Sequence, residues 1–244
     1  MKNNFIFIIT FRNVEKYISE CLDSVLSQKY HNYRVILIDD ASSDNTLKNI
    51  KNHDKIKIIK NSERKGKLNN LTYLYEEGLN DEDILVELDG DDKLTNKRVL
   101  NHLNKIYNKN KILLTYGCFK NSLNSFYCFN KVTKKEFKKI RKITFKTSHL
   151  KTYKYKLFKE IKNQDKDLNC FRDSNNKFYT IASDVAIMIP MLEIAGFNKI
   201  YYDKKINYFY RIHDNNDHKV DFKYQQYVKK EIEKKPKFKK IKWD

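Results

Sequence analysis

The chain contains few of the residues that interrupt regular secondary structure. Among its 244 residues only 5 are glycine and 2 are proline. Flexible linkers and low-complexity segments are usually rich in such residues or strongly biased in composition. We therefore expect one large folded domain, long enough to bury a hydrophobic core, with at most a small appendage.

Long apolar runs are also missing. No segment approaches the ~20 apolar residues that a helix needs to cross a bilayer. Only four residues precede the first apolar stretch at Phe5, which is too short for a signal peptide. A cytoplasmic location is the expectation, with free thiols in a reducing compartment. The cysteines show no metal-ligand spacing; they are Cys21, Cys118, Cys128 and Cys170.

Acidic residues are outnumbered. The chain has 50 Lys and Arg against 31 Asp and Glu, a formal net charge of +19. The basic residues are mostly lysine and are spread along the chain, and no nucleic-acid-reading motif accompanies them. The charge therefore predicts peripheral, nonspecific contact with anionic membranes or other polyanions, not specific binding of nucleic acid.

The most informative stretch is an apolar run that ends in three carboxylates, Ile84–Asp92, with the sequence ILVELDGDD. It predicts a buried strand that delivers Asp89, Asp91 and Asp92 to the edge of the sheet where ligands bind. Gly90 would permit a close backbone approach. Crowded carboxylates favour a hard divalent cation that also contacts substrate phosphates. An acidic turn after a strand is the alternative interpretation.

The flanking segments alternate between strand-like and helix-like patterns, and this order predicts a parallel sheet with right-handed crossovers. The predicted strands of the first half are Phe5–Thr10, Tyr33–Ile38, Ile56–Ile59 and Ile84–Asp89. Later strands are predicted at Ile112–Tyr116, Phe126–Phe129, Lys199–Tyr202 and Ile206–Ile212. The other predictions are helical pieces in Lys134–Tyr155, a polar loop at Lys162–Lys177, a helix from Asp184 to Gly196 and a charged helix at Asp221–Lys235.

Taken in order, six short motifs resemble those of the family 2 glycosyltransferases. They are ITFRN, LIDDASSDNT, NSERKGKLNN, ELDGDD, TIASDVAIMIPMLEIAG and YFYRIH, and they extend from about Phe5 to His213. The resemblance implies an α/β fold of the GT-A type, with a mixed, mainly parallel central sheet flanked by helices. It also implies a glycosyltransferase domain at 1–217, divided into a nucleotide-binding half (1–95) and an acceptor-binding half (96–217). Residues 218–244 would form a basic C-terminal helix or tail.

The same resemblance implies a metal-dependent hexosyltransferase. It would move a hexose from a UDP-sugar to a hydroxyl of a glycan, a lipid-linked sugar or a protein, with Mn²⁺ or Mg²⁺. Either Asp39 or Asp40 would accept a hydrogen bond from the uracil N3–H, and we prefer Asp40. The implied nucleotide-sugar contacts are Thr10, Arg12, Asp39, Asp40, Arg64, Lys67, Asp89, Gly90 and Arg211. The implied metal contacts are Asp91, Asp92 and His213.

Asp184, at the start of its predicted helix, matches the aspartate that serves as general base in this family. A single base and a single displacement imply inversion at the anomeric carbon. Ser183 stands where family members more often have glutamate, so the surroundings of Asp184 depart from the usual pattern. The plain structural interpretation of Asp184 is a carboxylate that stabilises a helix N-terminus.

Two other functions compete with this interpretation. A catalytically inactive binding protein could use the same fold. A nucleotidyltransferase shares the α/β architecture and paired carboxylates, but it normally has a glycine-rich loop after the first strand. The corresponding segment here is TFRNVEK, which has no glycine. The sequence leaves the sugar, the acceptor and the oligomeric state open.

Overall fold

A computed structural model of the chain describes residues 2–214 and 222–243. Within these residues, one nine-stranded sheet has the order β3-β2-β1-β4-β8-β6-β9-β5, with β7 paired to β6. The strands are β1 (Phe5–Phe11), β2 (Tyr33–Asp39), β3 (Ile56–Lys60), β4 (Ile84–Asp89), β5 (Lys93–Leu94), β6 (Leu114–Asn121), β7 (Phe126–Tyr127), β8 (Thr152–Lys154) and β9 (Ile200–Tyr210).

Strands β3, β2, β1 and β4 are parallel, as predicted from their apolar runs. Alternate residues of β1 face opposite sides: Ile6 and Ile8 belong to one hydrophobic cluster, and Phe7 and Ile9 to the other. The core therefore lies on both faces of the sheet. The helices are α1 (Ile18–Leu26), α2 (Lys67–Leu71), α3 (Val99–Lys109), α4 (Lys134–Phe137), α5 (Tyr155–Gln164), α6 (Ser183–Ala195) and α7 (Phe222–Lys234).

The second half of the sheet is mixed, and several predictions there are wrong. The segment predicted as helical pieces forms only the short helix α4 and then the antiparallel strand β8. Helix α5 extends to Gln164, inside the predicted loop at Lys162–Lys177, which also holds a 3₁₀ turn at Asn169–Phe171. The two strands predicted near the end are one continuous strand, β9, with register shifts opposite Cys118.

The C-terminal helix packs against the rest of the protein. Val228 and Ile232 of α7 are buried in the larger cluster. Arg141, itself buried, donates to both carboxylate oxygens of Glu193 in α6 at 2.7 Å. It also donates to three backbone carbonyls at the end of α7, those of Ile232, Lys235 and Pro236. The predicted first residue of this helix, Asp221, lies outside the described residues.

The expectation of four free thiols is wrong for two of them. Cys118 of β6 and Cys128, just after β7, form a disulfide, whereas Cys21 and Cys170 are buried and free. The pairing of β6 with β7 brings the first two together, and sequence spacing alone does not show this contact. Across the described ranges, none of the helices has the length and apolar character needed to cross a membrane.

Candidate active site

A cavity of about 450 Å³ opens at the carboxyl ends of the parallel strands. The register explains its position, because Thr10 of β1 pairs with Asp89 of β4, and Phe11 pairs with Asp39 of β2. Eight of the residues predicted for the site line it: Thr10, Arg12, Asp40, Arg64, Lys67, Asp89, Asp91 and His213. The sheet edge therefore brings together most of the side chains expected there.

Three loops reach the cavity with non-glycine residues at positive φ. They are Asn13 after β1 (φ 51°), Ala41 after β2 (φ 60°) and Ala182 before α6 (φ 57°). Such conformations cost roughly 1–3 kcal/mol and concentrate at functional sites. The turns at Asn13 and Ala41 are bonded together: the Asn13 N–H donates to Ser42 Oγ at 3.0 Å.

The three carboxylates after β4 point in different directions. Asp91 faces the cavity, and its Oδ2 lies 2.8 Å from Nε2 of His213. Asp89 accepts a hydrogen bond from Lys67 Nζ at 2.8 Å. Asp92 is buried and accepts from the Tyr208 hydroxyl at 2.5 Å. Only the first two of these carboxylates therefore line the cavity.

Crowding gives this turn an electrostatic cost. Burial and the neighbouring Asp89 carboxylate raise the pKa of Asp91. Burial, Asp91 and Asp89 together raise the pKa of Asp92 to about 9. Asp89 behaves differently: burial raises its pKa, but Lys67, together with His149 and Lys151, outweighs burial and lowers it. A cation bound beside Asp91 would remove part of this repulsion.

Asp91 and His213 fit a hard divalent cation in part. One carboxylate and one imidazole converge at the cavity, and Mg²⁺-type sites often use one or two protein ligands with substrate phosphates completing the shell. A group of three or more His, Cys, Asp or Glu residues placed to hold a metal is absent from the described part of the chain. The protein alone thus supplies an incomplete site that a diphosphate would complete.

Five predicted residues are not part of the cavity lining. Asp39 is buried and accepts from the backbone N–H of Ser42 at 3.1 Å. Gly90 packs under β1, where an added Cβ would sit 2.5 Å from Phe11 Cβ. Arg211 bonds to the Asp91 carbonyl at 2.9 Å and pairs with Glu20. The other two are Asp92 and Asp184, although Ser183, the neighbour of Asp184, does line the cavity.

Asp40, the residue preferred for base recognition, lines the cavity and anchors the loop after β3. Its carboxylate accepts from the backbone N–H groups of Lys65 (2.7 Å) and Gly66 (3.0 Å), and from the Asn61 amide at 3.2 Å. These bonds hold the loop that carries Arg64 over the cavity. Arg12 and Arg64 are both exposed at its rim.

Asp184 lies in the first turn of α6, next to Ser183, which lines the cavity. It pairs directly with the buried ammonium group of Lys151, and Lys67 Nζ lies 3.8 Å away. Both lysines also approach Glu87 of β4, at 3.5 and 3.6 Å. Burial alone would raise the pKa of Asp184, but Lys151 and Lys67 outweigh it and lower the pKa far below its usual value.

We call Glu87, Asp89, Asp184, Lys67 and Lys151 the buried charge cluster; Glu87 and Lys151 are buried, and the other three are partly buried. The two buried members were not predicted from the sequence. Glu87 could have been found, because it is a carboxylate inside the apolar run of β4 and an isolated charge in a buried strand needs a partner. Nothing local marks Lys151, whose partner is 33 residues away.

The aromatic residues near β8 pack inside the protein. Tyr153 and Phe158 are fully buried, and the Tyr153 hydroxyl donates to Glu87 at 2.8 Å. His149 stacks on Tyr208 with ring centroids 4.3 Å apart. Burial and Lys151 lower the pKa of His149 to about 4, so the ring is neutral near pH 7.

Comparison with known families gives a direct result. The family model for "Glycosyl transferase family 2" matches residues 6–171. The chain belongs to this family. The match confirms the resemblance found in the sequence motifs, and it includes β1 through β4 and the carboxylates that follow them.

A curated relative extends this finding. The Methanococcus voltae dolichyl N-acetyl-alpha-D-glucosaminyl phosphate 3-beta-D-2,3-diacetamido-2,3-dideoxy-beta-D-glucuronosyltransferase is 41% identical over 86 residues, which cover 31% of this chain and 25% of that protein. The chain spans at most 32% of the length of the curated relatives that it matches.

Solved structures share the fold. Staphylococcus aureus TarS 1–349 in complex with UDP-GlcNAc superimposes with a TM-score of 0.63 at 18% identity, covering 94% of this chain and 65% of that one. The mannosyltransferase PcManGT of Pyrobaculum calidifontis, in complex with GDP-Man and Mn²⁺, gives a TM-score of 0.60 at 15% identity, covering 89% and 59%. The GT-A fold expected from the sequence is confirmed.

Proposed function

We propose that this family 2 member is a metal-dependent, inverting glycosyltransferase that moves a hexose from a nucleotide sugar, preferably a UDP-sugar, to an acceptor hydroxyl. One observation carries the proposal. A single cavity lies between the Asp91–His213 pair and the start of the helix that bears Asp184. The neighbours with UDP-GlcNAc and with GDP-Man and Mn²⁺ support a nucleotide-sugar donor and a metal.

The donor would be held mainly by residues 1–95, and the acceptor by residues 96–217. Asp40 accepts a hydrogen bond from the base, and the cationic groups of Arg12, Arg64 and Lys67 face the diphosphate. Asp91 and His213 would hold Mn²⁺ or Mg²⁺, which as a Lewis acid would neutralise charge on the departing nucleoside diphosphate. Such charge stabilisation is the largest contribution that the site can offer.

Asp184 provides the base. The acceptor oxygen attacks the anomeric carbon opposite the diphosphate, the bond from that carbon to the diphosphate oxygen breaks, and the acceptor proton passes to the Asp184 carboxylate. Lys151 and Lys67 keep this carboxylate ionised at neutral pH, and because they also lower its proton affinity it acts as a weak base. Asp92 and Arg211 support the turn that positions Asp91, since each bonds to neighbours outside the cavity.

Titration of UDP, with and without Mn²⁺, tests the donor site. We expect Asp91→Asn to weaken metal-dependent UDP binding about 10–100-fold, a loss typical of a damaged metal site. Asp184→Asn should bind UDP normally but transfer hexose about 10²–10⁴-fold more slowly. A panel of UDP- and GDP-sugars supplies the donor readout. UDP affinity that is the same with and without Mn²⁺, and the same in Asp91→Asn as in the unmodified protein, would contradict the proposal.

One observation favours a second function, that of a catalytically inactive binding protein. The carboxylate assigned as the base is already paired with Lys151, and Asp89 with Lys67. Such a protein would bind UDP yet release no nucleotide from any sugar in the panel. Measurable release that is lost in Asp184→Asn would exclude it.

A further inference from the structure

A short hairpin carries most of the exposed large apolar side chains among the described residues. Six such side chains are exposed, and four fall within seven positions of one another: Leu123 (71% exposed), Phe126 (66%), Tyr127 (42%) and Phe129 (37%). Residues 122–131 are all exposed. Single exposed apolar residues are ordinary, but a contiguous group of them on a solvent-exposed surface marks a contact site. We call residues 121–131 the apolar hairpin.

The hairpin is held in one conformation. Its strands pair at Phe119↔Tyr127 and Lys120↔Phe126, and the Cys118–Cys128 disulfide joins their bases. The Asn121 side chain accepts from the backbone N–H groups at positions 123 and 125. Because the tip is already ordered, docking it would cost little conformational entropy.

The chain segment that contains this hairpin has few acidic residues. Residues 93–159 contain 19 Lys and Arg and one acidic residue, Glu136, so this segment has a net charge of 19 − 1 = +18 out of +19 for the chain. The basic residues occur along the whole chain, as the sequence interpretation has it, and what distinguishes this segment is the scarcity of acidic residues. Lys131, the last residue of the hairpin, is exposed, as are Lys134 and Lys135 just beyond it, and Lys120 lies in the strand before it.

We propose that the apolar hairpin is the docking site for an anionic lipid bilayer. Leu123, Phe126 and Phe129 would enter the headgroup region, and Tyr127 would sit at its boundary. The adjacent lysines would contact lipid phosphates, each contributing about 1 kcal/mol near an anionic surface.

Charge complementarity selects the bilayer over two other occupants. A second copy of the chain docked hairpin to hairpin would bring two sets of lysines together, which is repulsive. A nucleic-acid duplex would satisfy the lysines, but its bases are stacked inside and its phosphate backbone gives exposed Leu and Phe side chains no apolar environment. An anionic bilayer matches both features at once.

The position of the hairpin has a consequence for the candidate active site. The Ser122 N–H donates to the Tyr210 carbonyl, and the Ile212 N–H donates to Ser122 Oγ, both at 3.0 Å. The hairpin is thus bonded to the segment that continues into His213. Docking would therefore hold the rim of the cavity close to the lipid surface. The docking proposal itself does not depend on the proposed transfer reaction.

Co-sedimentation with vesicles tests the proposal. The vesicles are phosphatidylcholine alone or phosphatidylcholine with phosphatidylglycerol. We expect the full chain to bind only the anionic vesicles, and Leu123→Ser/Phe126→Ser to weaken binding at least about tenfold. The matched control, Ile58→Ser/Tyr227→Ser, removes two exposed apolar side chains elsewhere and should bind like the unmodified protein.

Charge is tested separately with Lys131→Gln/Lys134→Gln/Lys135→Gln, for which we expect a loss of about a hundredfold at low ionic strength that shrinks in high salt. Melting temperatures check that each variant is folded. Equal vesicle binding by the hairpin variant and the control would overturn the proposal, as would no binding to anionic vesicles. If the unmodified protein forms a dimer that Leu123→Ser/Phe126→Ser dissociates, the surface binds a second copy of the chain. If the protein binds duplex DNA but no vesicles, the surface binds nucleic acid. Either result would overturn the proposal.

Discussion

At the scale of single residues, the contact between Lys151 and Asp184 decides how the candidate base behaves. Lys151 is buried, and the charged groups that face Asp184 are the other members of the buried charge cluster. The nearby ring of His149 is neutral. Three carboxylates and two ammonium groups leave the cluster with one net negative charge. Removing an ammonium group would leave buried carboxylates without compensation, a change that costs about 3–5 kcal/mol.

We expect Lys151→Met to raise the pKa of Asp184, because its direct cationic partner is lost. The acidic limb of the kcat–pH profile should then move about 1–3 pH units upward, since the base must be ionised to accept a proton. A pH profile of transfer measures this shift, which a purely structural defect would not produce.

The double variant Lys151→Met/Glu87→Gln serves as the control for stability. It removes one positive and one negative charge, so the cluster keeps one net negative charge and should fold better than the single variant. Its acidic limb should still be displaced. If both variants are folded and the limb stays where it is in the unmodified protein, Asp184 is not the titrating base.

At the scale of secondary-structure elements, the turn after β4 depends on a close approach to β1. The Gly90 N–H donates to the Thr10 carbonyl at 3.2 Å, and a Cβ at this position would meet Phe11 Cβ. We expect Gly90→Ala to cost about 1–3 kcal/mol by overpacking and to displace Asp91, which reduces metal-dependent UDP binding. Thermal denaturation and UDP titration measure the two effects.

A matched control for this substitution is Gly78→Asn. Gly78 has φ +62° and no atom within 4 Å of an added Cβ, and asparagine tolerates this backbone conformation. It should leave both measurements nearly unchanged. Unaltered UDP binding by Gly90→Ala would show that the close approach does not position the carboxylates.

The elements differ in how far sequence could predict them. Strands β1, β2 and β4 are almost wholly buried, so each is a near-continuous apolar run, and parallel pairing places the carboxylates that end β2 and β4 at one edge. Strand β3 (IKIIK) is a partly exposed edge strand, which its three isoleucines still indicate. Strand β8 was missed because its polar residue Thr152 is buried by hydrogen bonds, to Tyr107 and Thr115 at 2.8 and 2.6 Å. Hydrophobic patterning cannot show burial of that kind. The pairing of Arg211 with Glu20 was hidden for another reason, because it joins residues 191 positions apart in the sequence.

At the scale of the whole molecule, the C-terminal segment supports the helix that carries the candidate base. Helix α6 begins beside Asp184 and holds Glu193 near its other end. Its last turn is bonded to the C-terminal residues: the Ile241 N–H and the Trp243 indole both donate to the Ile194 carbonyl, at 3.2 and 3.3 Å. Arg141 joins α6 to the end of α7, so the far end of the chain braces the candidate active site.

We expect Arg141→Met to destabilise the protein by about 3–5 kcal/mol, because Glu193 is left buried without its cationic partner and three carbonyls lose a donor. Thermal denaturation measures the loss, and hydrogen exchange should show faster opening in α7 and the C-terminal half of α6 than in β1 to β4. The control is Arg98→Met, at an exposed arginine, which should change stability by no more than about 0.5 kcal/mol. Equal stability of the two variants, or unchanged exchange in α7, would mean that the C-terminal segment does not brace α6.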